Sequence, residues 1–151
     1  MNLQVCVDAS VALKLVLDEI DSDAAQALWQ SWVDADIEIF APEHLAFEAT
    51  SVIRNHVQRG LISPEAGRQA FDVLHAQAVT LVPSSRLNVW AWELAGQFQR
   101  PTAYDAYYLA LAEALDCQLW TADLRLVNAV GHTLKWVRWL GEVQGETPAG
   151  S

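Results

Sequence analysis

The chain is 151 residues long, a length that fits one domain built around a single hydrophobic core. Hydrophobic residues make up 52% of the sequence and charged residues 19%, and this composition excludes intrinsic disorder over most of the chain. The formal net charge of -10 argues against the broad positive surface through which many proteins hold nucleic acids.

Neither a membrane span nor an export signal is predicted. The apolar runs fall far short of the roughly 20 residues that cross a bilayer, and Asp8 interrupts the first run before a signal-peptide core is complete. Cys6 and Cys117 are far apart and have no metal-binding spacing, so we expect two small buried side chains. We therefore expect a cytoplasmic protein without a membrane partner.

Short β-branched or apolar runs alternate with longer segments of helical periodicity, which is typical of a layered α/β domain. Strands are predicted at residues 3–7, 37–40, 79–82, 118–121 and 134–137. Helices are predicted at residues 10–17, 23–33, 43–59, 64–76, 86–99, 103–115 and 124–130. We expect one domain over residues 1–140 and a flexible tail over 141–151, whose last residues are rich in Gly, Pro and Ser.

Several helix boundaries are marked by residues with known positional preferences. Ser63 and Pro64 predict a capped helix start, and Pro42 predicts the start of the helix that contains Glu48. Gly60 predicts the end of that same helix, because glycine readily adopts the left-handed conformation that follows many helices.

Two aspartates directly follow predicted strands. Asp8 follows the first strand and Asp123 follows the fourth. Because ligands of open α/β sheets bind outside the carboxyl ends of the strands, we expect both side chains at the same edge of the sheet. Each aspartate also fits the N-cap of the helix that comes next, and the sequence leaves both interpretations open.

Two further acids lie on predicted helices. Asp105 stands three residues after Thr102, at the start of a helix that is apolar on nearly all sides, so it is either a capping partner or a site carboxylate. Glu48 lies beside the apolar stripe of its helix, where either a site acid or an ordinary boundary glutamate fits. Asn55 and Arg59 follow along the same flank, and we expect them to contact a substrate backbone.

The four acids together favour a metal-dependent hydrolase. Like charges that converge in a partly buried cleft are costly unless a cation lies among them. Carboxylate oxygens are the ligands that Mg²⁺ and Mn²⁺ prefer, and such ions activate water for the hydrolysis of phosphodiester bonds. We expect Arg125, close to Asp123, to contact the phosphate backbone as well.

Four segments, in this order, resemble the PIN domains, and among them the short VapC-type toxins of toxin-antitoxin pairs. They are VCVDAS at 5–10, APEHLAFE at 41–48, TAYDAYYLALA at 102–112 and LWTAD at 119–123. No single segment is specific, but the four occur together with the spacing of that family. The resemblance covers residues 2–140.

The resemblance implies a metal-dependent endoribonuclease with a three-layer fold, in which helices flank a central, mainly parallel sheet of five strands. It also implies a homodimer and a small antitoxin protein as partner. Ser10 and Thr121 match polar positions that lie beside the acids and hold metal-bound water. The metal-binding and catalytic acids of the family match Asp8, Glu48, Asp105 and Asp123.

Two other functions are compatible with the sequence. An aspartyl phosphatase would use Asp8 as its nucleophile, although such enzymes carry a second acid two residues later, where this chain has Ser10. A catalytically silent PIN-like domain would instead act as a binding module or a scaffold.

Aromatic residues and histidines carry further predictions. The chain has seven tryptophans, for which packing in the core or in an oligomer is favoured over stacking on bases. Of these we expect Trp136 and Trp139 to be exposed, at a dimer or partner surface. We expect His44 to be a surface histidine, and a position facing the cleft, one turn before Glu48, is the alternative.

Overall fold

The computed structural model describes residues 3–144, which form an α/β domain. Its strands are Gln4–Val7 (β1), Glu38–Pro42 (β2), Val79–Val82 (β3), Gln118–Thr121 (β4) and Val137–Trp139 (β5). Its α-helices are Ala9–Leu13 (α1), Ser22–Asp34 (α2), His44–Gln58 (α3), Pro64–His75 (α4), Asn88–Gln97 (α5), Tyr104–Leu115 (α6), Leu124–Val130 (α7) and Gly141–Gln144 (α8). A 3-10 turn, Ser84–Leu87, precedes α5.

All five strands are parallel and lie in the order β3-β2-β1-β4-β5. The central strand β1 pairs with β2 on one side and with β4 on the other, so that Cys6 aligns with Phe40 and Leu119. The strand order reverses at β1, and parallel α/β sheets bind their ligands at such a reversal. The carboxyl ends of β1 and β4 are therefore the part of the fold where a site is expected.

Helices cover both faces of this sheet. Val5, Cys6 and Val7 are all buried although successive side chains of a strand point to opposite faces. Helix α6 packs on β1, β2 and β4 and is apolar around most of its circumference, as its fully buried Leu109 and Ala110 illustrate. The predicted fold class, helices flanking a central sheet of five strands, is confirmed.

Four predicted boundaries are wrong, three of them because the backbone forms turns or a 3-10 segment where regular structure was predicted. The fifth strand is not 134–137, because the amides of Leu134 and Val137 donate into turns, to Val130 O and Leu134 O. The first helix ends at Leu13 rather than at 17, because the next three amides bond to carbonyls three residues back. The helix predicted at 86–99 begins as a 3-10 turn.

The fourth wrong boundary concerns Pro42, which ends β2 instead of beginning a helix. It pairs with Val82, and the following amide of Glu43 still donates to Val82 O at 2.8 Å, so α3 begins only at His44. The predicted helix start at Ser63 and the predicted helix end at Gly60 are confirmed. Ser63 Oγ accepts a capping hydrogen bond from Ala66 N at 3.1 Å. Gly60 has a φ of 71° after the end of α3.

The tail predicted at 141–151 begins with helix α8, and its remaining residues, 145–151, lie outside the described part of the chain. Within residues 3–144, no helix has the length and apolar character that crossing a membrane requires.

The predicted burial of the two cysteines is confirmed, whereas the predicted exposure of two tryptophans is not. Cys6 and Cys117 are buried free thiols, as predicted. Trp136 and Trp139, expected at an exposed surface, are instead partly buried. The most exposed indole is that of Trp92, at 77% of its full accessible area.

Replacing Leu109 with alanine is expected to lower the free energy of unfolding by about 2–5 kcal/mol, because it removes buried methyl groups and leaves a cavity under the sheet. Urea denaturation measures this loss. Leu61→Ala is the matched control, since Leu61 is 57% exposed and its truncation creates no cavity. Equal losses in the two variants would contradict the central position of α6 in the core.

Candidate active site

Asp8 lies at the carboxyl end of β1 and is the N-cap of α1, so both interpretations of this residue hold at once. Its side chain is almost completely buried, with only 6% of the residue exposed. Its Oδ1 accepts from Val11 N at 3.3 Å and from Ser10 Oγ at 2.5 Å. Its Oδ2 accepts from the buried hydroxyl of Thr121 at 2.5 Å.

Ser10 and Thr121 connect Asp8 to the turn that follows β4. Each hydroxyl donates its proton to Asp8 and accepts a backbone amide: Ala122 N donates to Ser10 Oγ at 2.9 Å, and Asp123 N donates to Thr121 Oγ1 at 3.0 Å. Because both hydroxyls are held on their acceptor side, their protons are directed at the carboxylate. The position and orientation of Asp8 are therefore fixed by two elements of the sheet.

Glu48 and Asp105 approach Asp8 from helices α3 and α6. Glu48 Oε1 is buried and has no hydrogen-bond partner among the described residues. Asp105 Oδ2 accepts from the guanidinium of Arg100 at 3.2 Å. The capping interpretation of Asp105 is wrong, because α6 has Ala103 at its N-cap and no side-chain capping bond there.

The charges of these three acids act on one another. Burial raises the pKa of Asp8 to about 6, and the charge of Asp105 adds to the rise, against the hydrogen bonds from Ser10, Thr121 and Val11 N that lower it. Burial also raises the pKa of Glu48 to about 7, with further contributions from the charges of Asp8 and Asp105. The structure thus brings Asp8, Glu48 and Asp105 into one acidic cluster.

Asp123 occupies a different position, at the rim of this cluster. Its Oδ1 accepts from Arg125 N at 2.9 Å and lies 3.8 Å from Arg125 Nε, so the residue caps α7. A cleft of about 310 Å³ opens beside it and is also lined by Ser10 and Lys14. Among residues 3–144, no three Asp, Glu, His or Cys side chains are arranged to hold a metal ion together.

The three substrate-binding candidates lie on the surface. The side chain of Arg125 is 93% exposed at the start of α7. Asn55 and Arg59 are exposed at the end of α3. Because an α-helix rises about 1.5 Å per residue, Arg59 lies roughly 16 Å along the axis from Glu48. Their contact with a substrate stays a prediction.

His44, predicted to be a surface residue, is instead packed against the acidic cluster. Its side chain is only 15% exposed, its Nδ1 lies 2.8 Å from Ser84 Oγ, and its Nε2 lies 3.3 Å from Glu48 Oε1. This last pair is close but not aligned as a hydrogen bond, since both atoms are without a partner. Burial lowers the pKa of His44, which favours the neutral ring.

Tyr108 is a second residue of the site that sequence reasoning missed. It is buried on α6 and stacks edge to face with His44 at 4.9 Å between ring centroids. Burial and the charges of Glu48 and Asp8 raise the pKa of Tyr108, and its hydroxyl makes no hydrogen bond within the described chain. Helical spacing would have indicated both residues, because His44 and Tyr108 lie one turn from Glu48 and Asp105.

In chelator, lowering the pH from 7 to 5 is expected to stabilise the wild-type protein relative to Asp8→Asn by about 1 kcal/mol. The folded protein binds a proton at Asp8 with a pKa of about 6, whereas the ordinary value is 3.8. The buried charge of Asp8 therefore destabilises the folded protein above pH about 6. This cost disappears as the pH falls toward 3.8, because Asp8 is then protonated in the folded state. Urea denaturation of both proteins at the two pH values tests this, and parallel curves would contradict a buried charge at Asp8.

The fold and the cluster define an α/β protein with acids gathered at the carboxyl edge of a parallel sheet. Residues 5–131 match the PIN domain family over most of the chain. The chain belongs to the PIN domain family, as its four sequence segments predict.

Several curated proteins are similar to it. Ribonuclease VapC9 of Mycobacterium tuberculosis is 38% identical over 122 residues, which cover 81% of this chain and 87% of that protein. Ribonuclease VapC12 of the same species is 31% identical over 135 residues, covering 85% of this chain and 93% of that protein. Ribonuclease VapC1, also from this species, is 40% identical over 92 residues, covering 60% and 67%.

Proposed function

We propose that the chain is a VapC-type toxin that hydrolyses RNA phosphodiester bonds with Mg²⁺ or Mn²⁺ held by Asp8, Glu48 and Asp105. The observation that carries the proposal is the convergence of these three carboxylates where the order of the parallel strands reverses. The family and the ribonuclease names of its relatives support the same reaction. Asp123 is proposed as an outer contributor at the rim, acting through bound water.

The donor types of Asp8, Glu48 and Asp105 suit a divalent cation, although no three such side chains among residues 3–144 already surround one ion position. Their donors are carboxylate oxygens, which hard cations prefer. Glu48 Oε1 is buried and without a partner, so it has an unused lone pair inside the cluster. A cation would also offset the burial and mutual repulsion that raise the pKa of Asp8 and Glu48.

Asp8, Glu48 and Asp105 would hold the ion, which would supply activated water and charge neutralisation at the leaving oxygen. The protein's own residues orient the groups that hold it. Ser10 and Thr121 fix both oxygens of Asp8, while Arg100 holds one oxygen of Asp105. The packing of His44 and Tyr108 excludes water from one side of Glu48. Arg125, Arg59 and Asn55 are proposed contacts to the RNA backbone.

The proposal includes partners. A small antitoxin protein would inhibit the enzyme, a second copy of the chain would form a homodimer, and the protein would act in the cytoplasm, where its RNA substrates occur. Purification of the chain after co-expression with the small open reading frame beside its gene tests the first of these, and light scattering tests the second.

Cleavage of total cellular RNA by the purified chain in Mn²⁺ tests the reaction. Discrete products are expected, and they should disappear in chelator and in an Asp105→Asn variant purified in parallel. The paired variant excludes a contaminating ribonuclease. Cleavage that persists in both controls would contradict the proposal.

Two alternatives give different results in the same preparations. An aspartyl phosphatase would form a covalent adduct at Asp8 with fluoroberyllate, whereas here both Asp8 oxygens are already engaged by hydroxyl groups. A silent scaffold would bind metal and a partner without cutting RNA.

A further inference from the structure

Helix α5 exposes a large aromatic side chain that the fold does not use. Trp92 is 77% exposed, and Val89, one turn earlier on the same face, is 72% exposed. Buried residues of α5, such as Ala91 and Leu94, face the core instead. The exposed indole offers a large, flat aromatic face on which a ligand can stack.

Trp92 borders a groove that shares one side chain, Arg100, with the acidic cluster. The groove has a volume of about 290 Å³ and lies between the end of α5 and the start of α6, with Gly96, Arg100 and Ala103 among its other lining residues. Arg100 is mostly buried, and its guanidinium donates to Asp105 Oδ2 at 3.2 Å. One wall of the groove is therefore the same side chain that holds a candidate metal ligand.

The net charge of the chain bears on which kind of ligand this groove can bind. With a net charge of -10, the chain as a whole repels a phosphate backbone, so contacts that do not involve phosphate become important for RNA binding. Stacking of a base on an indole is such a contact, because every base has an aromatic face. Arg100 also lines the groove, and a planar, cationic guanidinium is a group that can stack on a base or bond to it.

We propose that Trp92 and Arg100 form a subsite that binds an unpaired base of single-stranded RNA beside the acidic cluster. The proposal rests on the proposed ribonuclease function and extends it to the substrate, which must present a base free of its own helix. Tyr104, 67% exposed at the start of α6 and adjacent in sequence to Asp105, offers a second aromatic face in the same region.

The test is binding of a fluorescein-labelled, single-stranded RNA of randomised sequence and about 16 nucleotides, a length that spans typical single-strand sites. The full-length chain carries Asp8→Asn to prevent cleavage, and anisotropy is read in Mg²⁺. Adding Trp92→Ala is expected to raise Kd at least about fivefold, since a stacked base contributes that much or more. Trp92→Phe should restore part of the affinity, and Val89→Ala, the exposed control on the same helix, should leave Kd unchanged.

The salt dependence separates stacking from charge. The effect of Trp92→Ala on Kd should be the same at low and high salt, because stacking releases no counterions. Equal Kd values with and without Trp92 would overturn the subsite. So would a change in oligomeric state in both Trp92→Ala and Val89→Ala, because this face would then join two copies of the chain.

Failure of the proposed function gives a distinct pattern. If the wild-type chain cuts RNA and Trp92→Ala cuts it with the same KM, only the subsite is wrong. If the wild-type chain neither cuts total RNA nor binds the labelled RNA, the ribonuclease proposal is wrong and the subsite with it.

Discussion

Asp8→Asn is expected to reduce RNA cleavage by more than about a hundredfold. Changes to the outer partners of a metal ligand already cost about ten- to a hundredfold, and Asp8 is the acid on which the other groups of the site converge. The amide that replaces it carries no charge and offers one oxygen in place of two. Initial rates on total RNA in Mn²⁺, together with calorimetric titration of Mn²⁺, measure the loss of activity and of metal affinity.

The variant should remain folded, so that the effect is chemical. Asparagine is as good an N-cap as aspartate and can still accept from Val11 N at the start of α1. Asp116→Asn is the matched control: Asp116 is exposed, has a φ of 51° that asparagine tolerates, and lies at the far end of α6 from Asp105. It should cleave like the wild type. An Asp8→Asn protein that cuts RNA at the wild-type rate with unchanged metal affinity would show that Asp8 is not a ligand.

Much of the fold was predictable because its signals are local. The runs that form β1, β3 and β4 are short, apolar and bounded by polar or turn-forming residues, and their ends were predicted within one residue. The acids at the ends of β1 and β4 follow from the same reasoning, since every parallel strand ends at the same edge. The proximity of Asp105 and Glu48 to Asp8 was predicted by the resemblance, and no local pattern alone would have established it.

The features that were missed depend on contacts between distant segments. From the sequence, His44 is expected to be exposed in the first turn of its helix. Its side chain is mostly buried because Ser84, Tyr107 and Tyr108 pack against it. Pro42 has a preference for helix starts, but the pairing of β2 with β3 extends through it. Trp92 and Trp139 cannot be ranked by exposure from composition, because the answer depends on which faces of α5 and β5 the rest of the chain covers.

Thr121→Val is expected to lower cleavage about ten- to a hundredfold and to destabilise the protein by about 1–3 kcal/mol. Valine has nearly the shape of threonine, so the packing of this fully buried position is retained. What is lost is the hydroxyl, which donates to Asp8 Oδ2 and accepts from Asp123 N. Asp8 Oδ2 then loses its donor, so only Oδ1 stays fixed, and the amide of Asp123 is left without its acceptor.

The variant Thr121→Ser distinguishes the effect of losing the hydroxyl from the effect of losing the methyl group. It keeps both hydrogen bonds and removes one buried methyl, so it should lose roughly 1 kcal/mol of stability while cleaving within a few-fold of the wild type. Rates are compared well below the melting temperature of the Val variant, so that unfolding does not contribute. If the Val and Ser variants cleave equally, the Thr121 hydroxyl does not orient Asp8, and the placement of that carboxylate comes from Ser10 and the cap of α1. If only the Val variant is slow, the strands β1 and β4 hold the central acid jointly, through the hydroxyl of Thr121.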